Sequence, residues 1–208
     1  MKFPDGRILV FAKAPVAGQV KTRLRPVLSP EASAQLHRRL IHRTLALATG
    51  ARLAPVQLWC APSPDHPFFL DCRKKYGLTL HQQQGCDVGL RMEHALATTL
   101  TEAGQALLIG TDCPIFSRDD LATAFEQLRQ GDEVVLGPAE DGGYVLIGAR
   151  QVHPSLFNGI AWGTDSVLES TRQRLRNLNW RWSETRTLWD LDRPADWHRY
   201  QQEIGSRQ

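Results

Sequence analysis

Long apolar runs are missing from this sequence. No segment approaches the ~20 residues that a bilayer-spanning helix needs, so a membrane partner is not expected. The first residues, MKFPDGR, hold no apolar signal core, and a cytoplasmic protein is the expectation. A dominant charge is missing too. There are 25 basic and 22 acidic residues, a net charge of +3 and no long basic run, which argues against a nucleic-acid partner. Cysteine is sparse: four residues, at positions 60, 72, 86 and 113, without C-x-x-C or Cys/His spacing. That excludes a recognisable zinc motif and reads as free thiols in a reducing compartment. Repeats, linkers and low-complexity tracts are also absent, so residues 1–208 are expected to form one domain. Two phosphate-loop signatures are absent as well, G-x-G-x-x-G and G-x-x-x-x-G-K-[ST].

What is present begins with Arg7 to Leu24, RILVFAKAPVAGQVKTRL. Ile8 to Ala12 is a short apolar run that reads as a buried parallel strand. Lys13, Gly18, Lys21 and Arg23 follow directly. Glycine lets backbone N–H groups approach an anion, and the cations supply charge, so the turn suits a diphosphate; otherwise it is a surface turn with scattered cations. Strand-like and helix-like segments then alternate. Ser29-Pro30 starts a helix that Gly50 closes, with His37, Arg38, Arg39, His42 and Arg43 expected on its solvated face. Val56–Ala61 and Leu78–His81 read as strands, with a short helix from Phe68 to Tyr76 between them. This alternation predicts an α/β fold with a mixed, mainly parallel sheet.

Three further stretches carry carboxylates. Leu107–Ile109 is a strand-like run that ends in Gly110-Thr111-Asp112. Ligands of open α/β sheets bind outside the carboxyl ends of strands, where Asp112 can hold Mg2+ or Mn2+ against a diphosphate, or cap the next turn. Glu133–Gly148 reads as a hairpin with Glu140 and Asp141 in its connection; either carboxylate can accept a hydroxyl or act as a base, or the connection is purely structural. Leu188–Trp197, LWDLDRPADW, places Asp190 and Asp192 two apart; Asp192 precedes a helix start and can serve its N-terminus instead. Asp87 and Ser117, the latter with Asp120, are expected helix caps. Thr164 is expected to cap the next helix. Gly89 would let backbone approach a ligand. Trp162 either stacks on a base or sugar or belongs to the core. Trp180, Trp182 and Trp189 form a strand or an apolar lid. The tail after Ile204 is expected to fray.

FAKAPVAGQVKTRL resembles the N-terminal signature of a bacterial family of glycosyltransferase-related proteins with the GT-A fold. Some members of that family are assigned to arsenosugar biosynthesis as glycosyltransferases, and many have no assigned function. GCDVGLRM, ALLIGTDCP, GPAEDGGYVLIG and the Trp162-Gly163-Thr164 order are similar to the same family. A more distant resemblance is to small nucleotidyltransferases, such as the phospholactate guanylyltransferases and the molybdenum-cofactor nucleotidyltransferases. The resemblance implies a GT-A-like, three-layer nucleotide-sugar transferase. It implies Asp112 as the metal-binding residue of a reduced D-x-D motif in which Gly110 stands at the other acidic position. It also implies Arg91 facing nucleotide or phosphate, although Arg91 on a capped, exposed helix is the other reading. Asp141 would lie beside the sugar or acceptor pocket, and Asp192 or Asp190 would be a second metal ligand.

The expectation is therefore an enzyme. It would be a metal-dependent glycosyltransferase that takes a nucleoside-diphosphate sugar and a small hydroxyl acceptor, with Lys13, Lys21 and Arg23 on the diphosphate. Nucleotidyl transfer from a nucleoside triphosphate, releasing pyrophosphate, is the alternative. A nucleotide-binding module without turnover is a third reading.

Overall fold

The computed structural model describes residues 1–203; the tail after Ile204, expected to fray, lies outside the described residues. Seven strands form one sheet: β1 (Gly6–Lys13), β2 (Val56–Ala61), β3 (Thr79–Gln82), β4 (Gln105–Ile109), β5 (Val134–Pro138), β6 (Tyr144–Ala149) and β7 (Trp182–Glu184), in the order β3-β2-β1-β4-β6-β5-β7. β1, β2, β3 and β4 pair in parallel, β6 runs antiparallel to both β4 and β5, and β7 is parallel to β5. The sheet is thus mixed and mostly parallel, as the alternating segments predict. The single reversal comes from the β5–β6 hairpin, whose Gly142 has φ +86.

Alternation along β1 decides the layers. Ile8, Val10 and Ala12 join a core with α1 (Pro30–Gly50), α2 (Pro67–Tyr76) and α4 (Arg118–Arg129). Leu9 faces the other way, toward α3 (Val88–Leu100) and α5 (Val167–Asn177). Helices on both faces give a three-layer α/β fold. The chain builds outward from β1 through β2 to β3, then returns to lay β4 on β1's other side. That change of direction opens a crevice at the carboxyl ends of β1 and β4.

Local signals place the helices. Ser29 Oγ accepts from Ala32 N at 3.1 Å, and Asp87 Oδ1 from Leu90 N at 2.8 Å. Ser117 and Asp120 cap α4 reciprocally. Thr164 does not cap α5: the N-cap is Ser166, without a side-chain cap, and Thr164 Oγ1 donates to the Ala161 carbonyl at 2.8 Å. The tryptophan stretch is not a lid. Only Trp182–Glu184 is strand; Trp180 and Trp182 pack on the α3/α5 core, and Trp189 is buried in a third cluster with Leu24, Leu36, Leu191 and Tyr200. That cluster ties the loop after β1 to the segment before α6 (Pro194–Glu203), each fully buried Leu contributing about 1.5–3 kcal/mol. No described helix is long and apolar enough to cross a membrane.

Candidate functional site

The crevice is walled by three chain segments that backbone hydrogen bonds hold together. Leu191 N donates to the Asp112 carbonyl at 2.8 Å, joining the last segment to the end of β4. Leu188 N donates to the Pro138 carbonyl and Glu140 N to the Leu188 carbonyl, both at 2.9 Å, joining it to the β5–β6 connection. Residues 188–192 therefore run between Asp112 and Asp141. Asp112, Asp141, Asp190 and Asp192 line one cleft of about 390 Å3 together with Arg23 and Trp162. Asp112, Asp190, Val88, Met92 and Tyr144 also line a deeper recess of about 210 Å3, which this cleft adjoins.

Asp112 sits on a buried cation. The Lys21 side chain is only 2% exposed, and its Nζ lies 2.8 Å from Asp112 Oδ1 while also bonding the Leu191 carbonyl. Lys21 reaches inward because its own backbone is left-handed, φ 51. Beneath the pair is His37. Its Nε2 donates to the Lys13 carbonyl at 3.0 Å, since a carbonyl can only accept, and its Nδ1 is 3.6 Å from Asp112 Oδ1. Burial acts to raise the Asp112 carboxyl, but Lys21 and His37 outweigh it and hold the group below the ordinary carboxylate range. Lys21, expected on a diphosphate, is thus spent on Asp112 in this conformation. His37, expected on a solvated face, is buried. The signal that finds it is helical spacing: His37, Ile41, Thr44 and Ala48 form one buried stripe of α1.

The remaining carboxylates have unequal partners. Asp192 Oδ2 accepts from Arg23 Nη1 at 2.6 Å. Asp192 does not serve the α6 N-terminus with its side chain; Asp196 Oδ2 does, accepting from Asp192 N at 3.1 Å and Arg193 N at 2.6 Å. Asp141 Oδ1 accepts from Gly143 N at 2.9 Å, and Glu140 is drawn off to Arg199 at 2.8 Å. Asp190 has no ion-pair partner among the described residues. Burial, followed by the charges of Asp141 and Asp112, pushes its carboxyl up to about 7.

Of the other expected ligands, Lys13 donates to the Gln19 carbonyl at 2.9 Å and Arg91 to the Gly85 carbonyl at 3.0 Å; neither lines the cleft. Gly18, φ +77, has open space around it. Gly89 serves a different purpose from the one expected. A Cβ there would lie 2.3 Å from Trp162 Cε2 and Nε1, so the missing side chain seats the indole, which forms a wall of the cleft edge-on to Tyr144. Gly89→Ala is expected to cost about 1–3 kcal/mol by overpacking. In a Trp162→Ala background the cost should fall to about 0.5 kcal/mol or less; urea midpoints of the four proteins measure this, and an undiminished cost would refute the contact.

The donor set matches a hard divalent cation in chemistry: oxygen ligands, with uncompensated negative charge at Asp190. No hydrogen bond reaches Asp112 Oδ2 among the described residues, which leaves that oxygen free. No three His, Cys, Asp or Glu side chains among the described residues converge closely enough to hold a metal by themselves. Phosphate oxygens and waters would have to complete the shell.

The fold recurs in solved structures. A crystal structure from Desulfovibrio desulfuricans G20, described as a "putative nucleotide-diphospho-sugar transferase", is 30% identical, with 98% of this chain and 90% of that chain covered at a TM-score of 0.86. CMP:2-keto-3-deoxy-manno-octonic acid synthetase complexed with CTP is 14% identical, covering 98% and 99%, at 0.59. Rv0371c of Mycobacterium tuberculosis H37Rv, in complex with manganese, is 15% identical, covering 96% and 99%, at 0.55. The last two share the fold alone. No curated protein matches the sequence. Residues 44–164 match the family model described as "Uncharacterized protein conserved in bacteria (DUF2064)". With more than half its length inside that match, the chain belongs to the DUF2064 family.

Proposed function

We propose that this protein is a glycosyltransferase that takes a nucleoside-diphosphate sugar and a divalent cation and transfers the sugar to a small hydroxyl acceptor, with residues 1–208 acting as one nucleotide-sugar domain. One observation carries the reading: Arg23 and the carboxylates of Asp112, Asp141, Asp190 and Asp192, drawn from four separate stretches, line a single cleft at the switch point of the sheet. The description of the 30%-identical relative supports it.

Asp112 and Asp192 would hold Mg2+ or Mn2+, which neutralises charge building on the leaving diphosphate. Lys21 and His37 keep Asp112 ionised and aimed. Arg23 is exposed at the lip and offers a fork to phosphate oxygens once it leaves Asp192. In the transfer, the acceptor oxygen bonds to the anomeric carbon as the carbon–oxygen bond to the diphosphate breaks, its electron pair leaving with the diphosphate. Asp190, with its raised pKa, or Asp141 takes the hydroxyl proton.

The test is product analysis with nucleotide sugars, nucleoside triphosphates, alcohols and Mn2+. Release of nucleoside diphosphate from a nucleotide sugar is expected. Pyrophosphate release instead would establish nucleotidyl transfer, the reading favoured by fold-sharing structures such as the CTP complex. A saturating nucleotide sugar, at 100 times its Kd, should stabilise by about 2.7 kcal/mol and raise the midpoint by about 5–10 °C. Arg23→Ala should weaken that ligand by about 10- to 100-fold, the value of a charged hydrogen bond. Unaltered affinity would remove Arg23 from the site.

A further inference from the structure

The deeper recess does not suit a sugar. It is formed by Phe11 at the end of β1, Val88 and Met92 on α3, Leu108 on β4, and Leu146 on β6. Tyr144 contributes its ring, and its buried hydroxyl has no hydrogen-bond partner among the described residues. Charged groups enter the lining only at Asp112 and Asp190, and these two also face the outer cleft. A hexose placed inside would bury several hydroxyls without partners, at about 1–3 kcal/mol each. The recess holds about 210 Å3. An apolar cavity of ~150 Å3 already accommodates benzene, so a six-membered carbon ring with a small substituent fits.

The mouth has the same character. Val88 is 44% exposed, and Met1 is the only other large apolar side chain exposed among the described residues. It stands at the opening shared by recess and cleft. An apolar side chain left in water beside an apolar recess gains from a ligand that covers it. A ligand that satisfies both ends has a hydrocarbon body in the recess and one hydroxyl at the mouth, within reach of the Asp190 carboxylate.

We propose that the acceptor is a compact apolar alcohol, with a ring-sized hydrocarbon body, rather than a polyol or a sugar. This rests on the glycosyl-transfer reading, and it narrows the acceptor to one class. The body inserts between α3 and the β4–β6 sheet. The hydroxyl remains at the carboxylates, gives up its proton to Asp190 or Asp141 and forms the glycosidic bond, while the diphosphate departs with the bonding pair.

The probe is 4-fluorobenzyl alcohol, followed by fluorine NMR with the full-length protein. Its resonance should broaden or shift on adding protein, and 4-methylbenzyl alcohol should reverse this where myo-inositol at the same concentration does not. Gly110 lines the recess, and a Cβ built there meets nothing within 4 Å. Gly110→Leu should therefore fill the space and weaken the probe at least tenfold. Val88→Asp, at an exposed position that the fold does not depend on, should weaken it severalfold. Equal competition by myo-inositol, or undiminished binding in both variants, overturns the proposal. A nucleotide-sugar thermal shift recorded in parallel separates the two readings. A shift without alcohol binding overturns the acceptor class and leaves glycosyl transfer standing. Alcohol binding without any nucleotide-sugar shift overturns the acceptor assignment together with the reading beneath it.

Discussion

Asp112→Asn is expected to lower the thermal midpoint by about 2–12 °C and to abolish whatever part of nucleotide stabilisation depends on Mg2+ or Mn2+. The first effect comes from Lys21, not from the metal. The Lys21 ammonium is buried, and Asp112 is its carboxylate partner. Removing one member of a buried pair costs about 3–5 kcal/mol, but Asp112 is 43% exposed and water screens its share, so about 1–3 kcal/mol is the fair figure. In a protein of this size each kcal/mol moves the midpoint by about 2–4 °C. The sign with pH follows from the lowered carboxyl. A group whose folded pKa is depressed contributes stability above its unfolded value, 3.8, and loses it as pH falls through the folded value. The deficit of the variant should hence be flat from pH 5 to 8 and shrink below pH 4. The double variant Lys21→Met/Asp112→Asn separates the two roles. With no stranded ammonium it should recover most of the midpoint and remain blind to Mn2+. A double variant that regains the metal-dependent shift would take Asp112 out of the metal site.

Much of this architecture is readable from local chemistry. β2 spans the very residues its β-branched and aromatic run indicates, Val56–Ala61, and the caps at Ser29, Asp87 and Ser117 are where their side chains predict. These depend on neighbours within four residues. The antiparallel entry of β6 is equally local, since the Gly-containing connection turns the chain back on itself. What could not be read is who meets whom across the chain. Lys21 looks like a free phosphate ligand until Leu191 and Asp112, 170 and 91 positions away, claim its ammonium. Gly89 looks like room for a ligand until Trp162 fills it. Asp192 and Asp196 both precede or open α6, and sequence spacing does not say which one caps; Arg23 decides by drawing Asp192 aside. The segments that build the cleft were thus legible, whereas its internal pairings follow from tertiary packing that brings distant charges within 3 Å.

Asp190→Asn should stabilise the metal-free protein, and only at neutral and alkaline pH. Burial and the nearby Asp141 and Asp112 charges push the Asp190 carboxyl up from 3.8 to about 7. A carboxyl raised in the folded state binds its proton more tightly there than in the unfolded chain, so stability declines as pH rises from about 4 to about 7 and the penalty is complete above that. A displacement of about three pKa units corresponds to at most about 4 kcal/mol. Asparagine keeps the shape without the charge, and we expect a gain of about 2–4 kcal/mol at pH 8, some 4–15 °C, falling to none at pH 4. Manganese acts on the same repulsion. At pH 8, Mn2+ held by Asp112 and Asp192 should raise the wild-type midpoint by more than that of the variant, because in the wild type the cation also relieves the repulsion at Asp190 that the substitution has already removed. Thermal melts at pH 4 and pH 8, with and without Mn2+, test the whole argument. A gain that is the same at both pH values would mean that packing, not charge, limits this site, and a Mn2+ response that survives the substitution intact would place the cation away from Asp190.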